Sequence, residues 1–333
     1  MKIVENPNTE NENPIVSVLV TTFNQEKYIS ETLNGILMQQ TNFPFEVVIG
    51  EDCSNDKTRE ICLSYKNKYP EIINLVMNEK NLGYSKNFLS VLKSCKGEFI
   101  AMCEGDDFWI DSNKLQYQVD FLRNHTEYSL CCHNYYIKKE GSQEELKIAH
   151  SAPYPFLSED NEGGSFDNYI NLLEYWYTNT LTVLFRSNKL DFLKLDKYNH
   201  FYDVHLYFHL LFNGKAFFMK NFTGSVYRLH NSSYHNGRDW LHRAKVAFLN
   251  DKELFEFNSD DKVIQRLFEK TRVLFLDSIR YRFAVEGIKE DIIHDLFLLL
   301  IEIYKCEGMK STFYPIKKSL ISVTKHFLNG SKN

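Results

Sequence analysis

The sequence lacks both glycine-rich phosphate cradles. No G-x-G-x-x-G follows its first apolar run, and no G-x-x-x-x-G-K-[ST] occurs anywhere. Their absence excludes the dinucleotide fingerprint and the P-loop. Any phosphate must be held another way, and a divalent metal on carboxylates can do so by bridging a diphosphate. No C-x-x-C pair is present, and the seven cysteines (Cys53, Cys62, Cys95, Cys103, Cys131, Cys132 and Cys306) are scattered and odd in number. That excludes a thiolate zinc site and a disulfide framework, and it fits reduced thiols in a reducing compartment. No apolar run approaches the roughly 20 residues of a membrane span; the most apolar, 296–301, is far too short. The start, 1–14, is polar and rich in Asn and Glu, without a signal-peptide pattern. The expectation is a flexible lead on a cytoplasmic protein. The net charge of −5 supplies no basic field for nucleic acid.

What is present suits a globular chain with a sizeable core. Hydrophobic residues make up 43% of 333 residues, which allows one large domain or two. Aromatics reach 15%. That suits a sugar-handling surface or an aromatic core, and core is the default.

The first hundred residues alternate two periodicities. Apolar runs at 15–20, 45–49, 72–77 and 99–103 read as strands. Between them, 28–39, 57–68 and 85–94 carry apolar residues at helical spacing, the second preceded by the cap-forming Ser54-Asn55-Asp56. Strand–helix alternation predicts an α/β fold with a mostly parallel sheet, helices on both faces and right-handed crossovers. Farther on, 114–123 reads as a helix, 128–137 as a strand, 138–167 as a long loop and 181–185 as a strand. Asp203 opens a helix, 216–219 and 224–227 read as two short strands, and from 239 onward helical spacing prevails over 244–257, 263–285 and 288–304.

In open parallel sheets, ligands sit at the carboxyl ends of the strands. Four polar tips fall there: Thr21–Asn24, Glu51–Asp52, Asn81–Gly83 and Glu104–Asp107. The last sets three carboxylates around one glycine. Like charges so clustered are costly without a cation, and oxygen ligands suit a divalent one. A solvated acidic turn is the plain alternative.

Three segments in order carry a resemblance: PIVSVLVTTFN at 14–24, EDCSNDKT at 51–58 and EGDDFW at 104–109. Together they resemble glycosyltransferase family 2, inverting nucleotide-sugar-dependent enzymes with the GT-A fold, and the match extends over roughly 14–235. The resemblance implies a lead at 1–13, a GT-A catalytic domain at 14–238 and a C-terminal helical extension at 239–333.

It also implies roles. Thr21, Phe23 and Glu26 match the tip that packs on the base and ribose, with Phe23 as stacking ring. Asp52 matches the carboxylate that accepts from the uracil imide; an Asx turn or helix cap is the alternative. Asn81, Gly83 and Lys86 match a tip near the ribose and diphosphate, where a plain turn and a solvated lysine fit equally well. Glu104-Gly105-Asp106 stands at the DxD motif, departing by Glu for the first Asp. There Glu104 and Gly105 face the nucleotide, Asp106 is the direct metal ligand and Asp107 lies near the donor sugar.

Asp203 matches the general base, with Asp191 and Asp196 as nearby rivals and an N-cap as its alternative. His230 completes the metal shell or contacts the diphosphate, or is structural. Arg228 neutralises phosphate or holds the local fold. His133, His205 and His209 are read as structural. Thr180 lies on the acceptor side, or simply starts a strand. Mg²⁺ or Mn²⁺ is the expected cofactor. The expected partners are a UDP-sugar donor and a glycan or lipid-linked acceptor of bacterial surface polysaccharide synthesis. A non-catalytic nucleotide- or glycan-binding subunit is the competing function, and a nucleotidyltransferase, which carries a Gly-rich basic first loop, is a third. The basic amphipathic stretch 313–328 packs on the body as a final helix or docks on an anionic membrane face.

Overall fold

The computed structural model describes residues 2–4, 13–142, 145–150, 163–166, 178–231, 240–257, 262–286, 294–295 and 298. The expected helix at 288–304, apart from 294–295 and 298, and the basic stretch 313–328 lie outside them. The chain divides into two compact units, Met1–Ser233 and Tyr234–Asn333.

The first unit is built on one sheet. Its centre is four parallel strands in the spatial order β4 (Ile73–Met77), β3 (Phe45–Glu51), β2 (Val16–Thr22) and β5 (Phe99–Glu104). Helices α1 (Ile29–Leu37), α2 (Thr58–Lys68) and α3 (Tyr84–Ser94) connect them. The runs are parallel because each crossover carries a helix long enough to return the chain to the same end. Their inward positions, including Val18, Val20, Val47, Ile49, Leu75 and Ala101, are fully buried. On α1, Ile29, Leu33 and Ile36 form the buried stripe that 3.6-residue spacing demands.

Beyond β5 the sheet continues through β10 (Leu184–Arg186), antiparallel to both β5 and β7 (Tyr128–Lys139). Next come β11 (Lys215–Leu229), parallel to β7, and β6 (Phe108–Trp109), antiparallel to β11. Helix α4 (Lys114–Asn124) precedes β7, the short α5 (Phe192–Leu195) follows β10, and α6 (Asp203–Phe212) precedes β11.

Four expectations change. The lead is not wholly unstructured: β1 (Lys2–Val4) pairs antiparallel with β4. The loop at 138–167 contains β8 (Lys147–Ile148) and β9 (Gly163–Phe166), which pair with β7 and β11. The stretch 181–185 begins as a 3₁₀ turn over Thr180–Thr182, and its strand starts only at Leu184. The two short strands at 216–227 are one strand, with register shifts between Met219 and Ser225. There the polar Lys220 and Asn221 interrupt the apolar pattern without ending the pairing, which a bulge accommodates.

In the second unit, α7 (Trp240–Phe257) and α8 (Lys262–Glu286) share a core of Phe248, Phe268 and Phe275. No helix among the described residues is long and apolar enough to cross a membrane.

The core of the first unit includes a buried amine. Lys114 is fully buried at the start of α4, donates from Nζ to Gln118 Oε1 at 2.8 Å and lies 4.0 Å from the Trp109 ring centroid. Burial pushes its amine down to about 7. The folded value lies below the unfolded one, so above about pH 7 the folded amine is neutral while the unfolded amine keeps its proton to about pH 10. The unfolded state binds more protons there, and stability rises with pH through that window. Lys114→Met is expected to flatten this rise, read as the difference in melting temperature between wild type and variant from pH 7 to 9. An unchanged slope would rule out a buried, depressed amine.

Candidate active site

The site grows from the carboxyl ends of β2, β3 and β5. Register pairs Thr21 with Gly50 and with Glu104, and Thr22 with Glu51, so three tips end side by side. Two non-glycine residues just past these tips take left-handed backbone, Asn24 at φ 53° and Cys53 at φ 61°. Asn tolerates that region and Cys pays a steric penalty, the kind of local strain that surrounding structure must hold in place. Here the two tips lock together: Asn55 N donates to Asn24 Oδ1 at 2.8 Å, and Asn24 N to Ser54 Oγ at 3.0 Å.

The acidic turn is fixed from three directions. Gly105 N donates to Thr21 O at 2.9 Å. The Thr32 hydroxyl lies 3.0 Å from Gly105 O and 2.6 Å from Asp107 O. Arg228, more than a hundred residues on, donates its backbone N–H to Asp107 Oδ1 and its Nε to Asp106 O, each at 2.8 Å. Its guanidinium also meets Glu31 at 2.7 Å and lies over the Tyr28 and Phe108 rings. Of its two readings, holding the local fold is the one these contacts describe. Gly105 is required by packing: a Cβ there would come within 2.4 Å of Gln25 Oε1 and 2.7 Å of Thr22 Oγ1.

Glu104, Asp106 and Asp107 each bring a carboxylate oxygen within 4.8 Å of the others. Asp106 Oδ2 lies 2.9 Å from His230 Nε2, and the His230 ring packs on Tyr28 with centroids 4.7 Å apart. Asp107 is 1% exposed, and its Oδ2 is buried without a hydrogen-bond partner among the described residues. Burial, then the neighbouring Asp106 and Glu104, hold the Asp107 carboxyl well above the usual range. Burial, then Asp106 and Asp203, push Glu104 up to about 8. A buried carboxylate oxygen with no donor, beside two more acids, lacks positive charge. These residues fit a hard divalent cation: oxygen donors from Glu104, Asp106 and Asp107, with His230 adjoining.

The remaining expected residues divide. Thr21 is buried at the end of β2, whereas Phe23 stands 39% exposed beyond it. Glu26 is turned to the neighbouring tip, where its Oε2 accepts from Lys57 N at 2.9 Å. Lys86 is exposed on α3. Asp52 is engaged from inside the protein: Oδ1 accepts from Asn78 Nδ2 at 2.9 Å and Leu82 N at 2.8 Å, and Oδ2 from Gly83 N at 2.9 Å. Asn81 Oδ1 accepts from the same Gly83 N–H at 3.0 Å. Gly83 has φ +80° and ψ 160°, a region essentially reserved for glycine, although a Cβ there would meet nothing.

Asp52 therefore builds the 81–83 loop. Asp52→Asn is expected to cost about 1.5–3 kcal/mol in urea unfolding, the scale of hydrogen bonds to a charged acceptor. Full stability in that variant would contradict the clamp.

Asp203 is the first residue of α6. Its Oδ1 accepts from Val204 N at 2.9 Å, and burial pushes its carboxyl up to about 6. It is not the cap: that position is Tyr202, whose N–H donates to His205 Nδ1 at 3.1 Å. Its rivals lie elsewhere, Asp191 capping α5 and Asp196 paired with Lys93. Thr180, buried in its 3₁₀ turn, donates from its hydroxyl to Asn179 Oδ1 at 3.3 Å. The residue that sequence reading passed over is Tyr84, whose hydroxyl donates to Glu104 Oε1 at 3.1 Å. Its position immediately after Gly83 is the signal that could have marked it.

The profile described as Glycosyl transferase family 2 matches residues 17–186, more than half of the 333-residue chain. An uncharacterized protein of Mycobacterium tuberculosis is 42% identical over 118 residues, covering 35% of this chain and 34% of the relative. The Staphylococcus aureus poly(ribitol-phosphate) beta-N-acetylglucosaminyltransferase TarS is 38% identical over 113 residues, covering 33% of this chain and 19% of TarS. The chain thus matches about a third of one relative's length and a fifth of the other's. Among solved structures, TarS 1–349 in complex with UDP-GlcNAc superposes with a TM-score of 0.62 at 19% identity, over 93% of this chain and 90% of that one. At that identity the likeness is one of fold.

Proposed function

This chain belongs to glycosyl transferase family 2, and we propose that it is a metal-dependent, inverting glycosyltransferase that moves a sugar from a UDP donor to a glycan or lipid-linked acceptor in bacterial surface polysaccharide synthesis. The observation that carries this reading is the buried, unpartnered Asp107 Oδ2 within the Glu104–Asp106–Asp107 cluster. An acid cluster arranged in this way is what a cation-bound diphosphate leaving group requires. The TarS likeness supports the UDP donor and the surface-polymer context.

The roles are those the resemblance implies, and placement supports them. Phe23, exposed past the β2 tip, stacks on the base, with Thr21 behind it and Glu26 fixing the adjoining tip. Asp52 shapes the base and ribose pocket through the 81–83 loop, with Asn81, Gly83 and Lys86 beside the ribose and diphosphate. Glu104 and Gly105 complete the nucleotide wall, and Thr180 borders the acceptor side. Asp106, Asp107 and His230 would hold Mg²⁺ or Mn²⁺ together with Glu104, and Asp107 would also face the donor sugar. When bound, the cation supplies Lewis-acid stabilisation of charge developing on the diphosphate. Asp203 takes the proton from the acceptor hydroxyl as its oxygen attacks the anomeric carbon. One displacement with no covalent intermediate inverts the anomeric configuration.

Purified protein given UDP-GlcNAc and other UDP-sugars with Mn²⁺ or Mg²⁺ is expected to release UDP, and EDTA to stop it. If no UDP-sugar or UDP binds by calorimetry with either metal, the reading is wrong. The joint presence of Asp106, Asp107 and Asp203 weighs against a non-catalytic subunit, which would bind nucleotide and transfer nothing.

A further inference from the structure

One helical turn touches three parts of this site. Helix α3 begins at Tyr84, directly after the 81–83 loop that Asp52 clamps through Leu82 N and Gly83 N. Its first residue reaches the acid cluster, since the Tyr84 hydroxyl donates to Glu104 Oε1 at 3.1 Å. The Tyr84 ring stacks on Tyr202, the residue before Asp203, with centroids 5.8 Å apart and planes 17° from parallel. The second residue, Ser85, accepts through Oγ from Phe201 N at 2.5 Å. One turn on, Phe88 packs on Phe201 with centroids 5.8 Å apart.

We propose that Tyr84 and Ser85 are positioning residues that couple nucleotide occupancy at the 81–83 loop to the placement of Asp203. This rests on the reading of Asp203 as base and of 81–83 as nucleotide loop. Phe201 is fully buried, so its backbone N–H needs an acceptor, and Ser85 Oγ is the one the fold supplies. Phe201 lies two residues before Asp203, so any shift of α3's first turn is passed along a short, stacked segment. The Tyr84–Tyr202 stack adds a second, parallel link. Nucleotide that orders 81–83 thereby orders 201–203, and a free donor loop leaves the base less well placed. Misplacement by about 1 Å costs on the order of 100-fold in rate.

The test uses the full chain. Ser85→Ala is expected to lower kcat for transfer by about 10- to 100-fold and to leave UDP affinity within about threefold, because the Asp52 clamp is untouched. Ser85→Thr restores an acceptor and is expected to recover most of the loss. Amide hydrogen exchange supplies a readout independent of turnover. UDP with Mn²⁺ should slow exchange of a peptide spanning 198–206 in wild type but not in Ser85→Ala. A general packing defect would instead lower UDP affinity and kcat together.

The proposal is overturned if UDP fails to protect 198–206 in wild type, or protects it equally in the variant. It is also overturned if Ser85→Ala transfers within twofold of wild type. Those results leave the glycosyltransferase reading intact. A wild type that binds no UDP defeats that reading itself, and the coupling with it.

Discussion

Asp203→Asn is expected to lower transfer by about 10²- to 10⁴-fold, the range a positioned general base supplies. UDP binding with Mn²⁺, followed by calorimetry, should stay within about threefold, because the amide keeps the size of the side chain and can still accept from Val204 N through its carbonyl oxygen. The same residue sets a pH limb. Burial raises the Asp203 carboxyl to about 6. A protonated carboxyl cannot take the acceptor's proton, so transfer should fall about tenfold per pH unit below about 6 and level off above it. The variant should lose that limb along with most of the rate. Transfer at the wild-type rate in Asp203→Asn would remove it from the mechanism. A surviving limb near pH 6 in the variant would assign the titration to another group.

Asp106→Asn should act in opposite directions with and without metal. Asp106 helps to raise both Glu104 and Asp107, so its charge opposes ionisation of its neighbours in the metal-free protein. Replacing it by a neutral amide relieves that repulsion. The metal-free variant is therefore expected to melt at or above the wild-type temperature, with His230 Nε2 retaining an amide oxygen in place of Oδ2. In Mn²⁺ the order reverses. Wild type gains stability by binding, and the variant, short of a charged ligand, gains little. Transfer should fall about a thousandfold, matching a loss of several kcal/mol of Lewis-acid stabilisation. Melting curves with and without Mn²⁺ decide this. A variant stabilised by Mn²⁺ as strongly as wild type would take Asp106 out of the metal shell.

Much of this protein is determined by local sequence. Apolar runs of five or six residues alternate with helical spacing because each central strand is buried on both faces and each connecting helix on one. That pattern is readable without contacts, and the polar tips at 21–24, 51–52, 81–83 and 104–107 follow from it. Tertiary structure decided what contacts across long separations alone can decide. Lys220 and Asn221 look like a break in the chain, yet pairing with β7 carries β11 through them. Gly163–Phe166 looks like loop and is a strand because Ala216–Met219 lies beside it. Within the acidic turn, Glu104, Asp106 and Asp107 are chemically near-equivalent in sequence. Only Arg228, arriving from β11, and the enclosing walls make Asp107 the buried acid with an unmet oxygen. Asp52, which the resemblance matches to a nucleotide contact, is also a clamp on the 81–83 loop, and its three donors, 26 to 31 positions away, are invisible to local sequence. The elements and their tips are local and follow from periodicity; the burial, charge and partners of each acid are set by segments that meet only once the chain has folded.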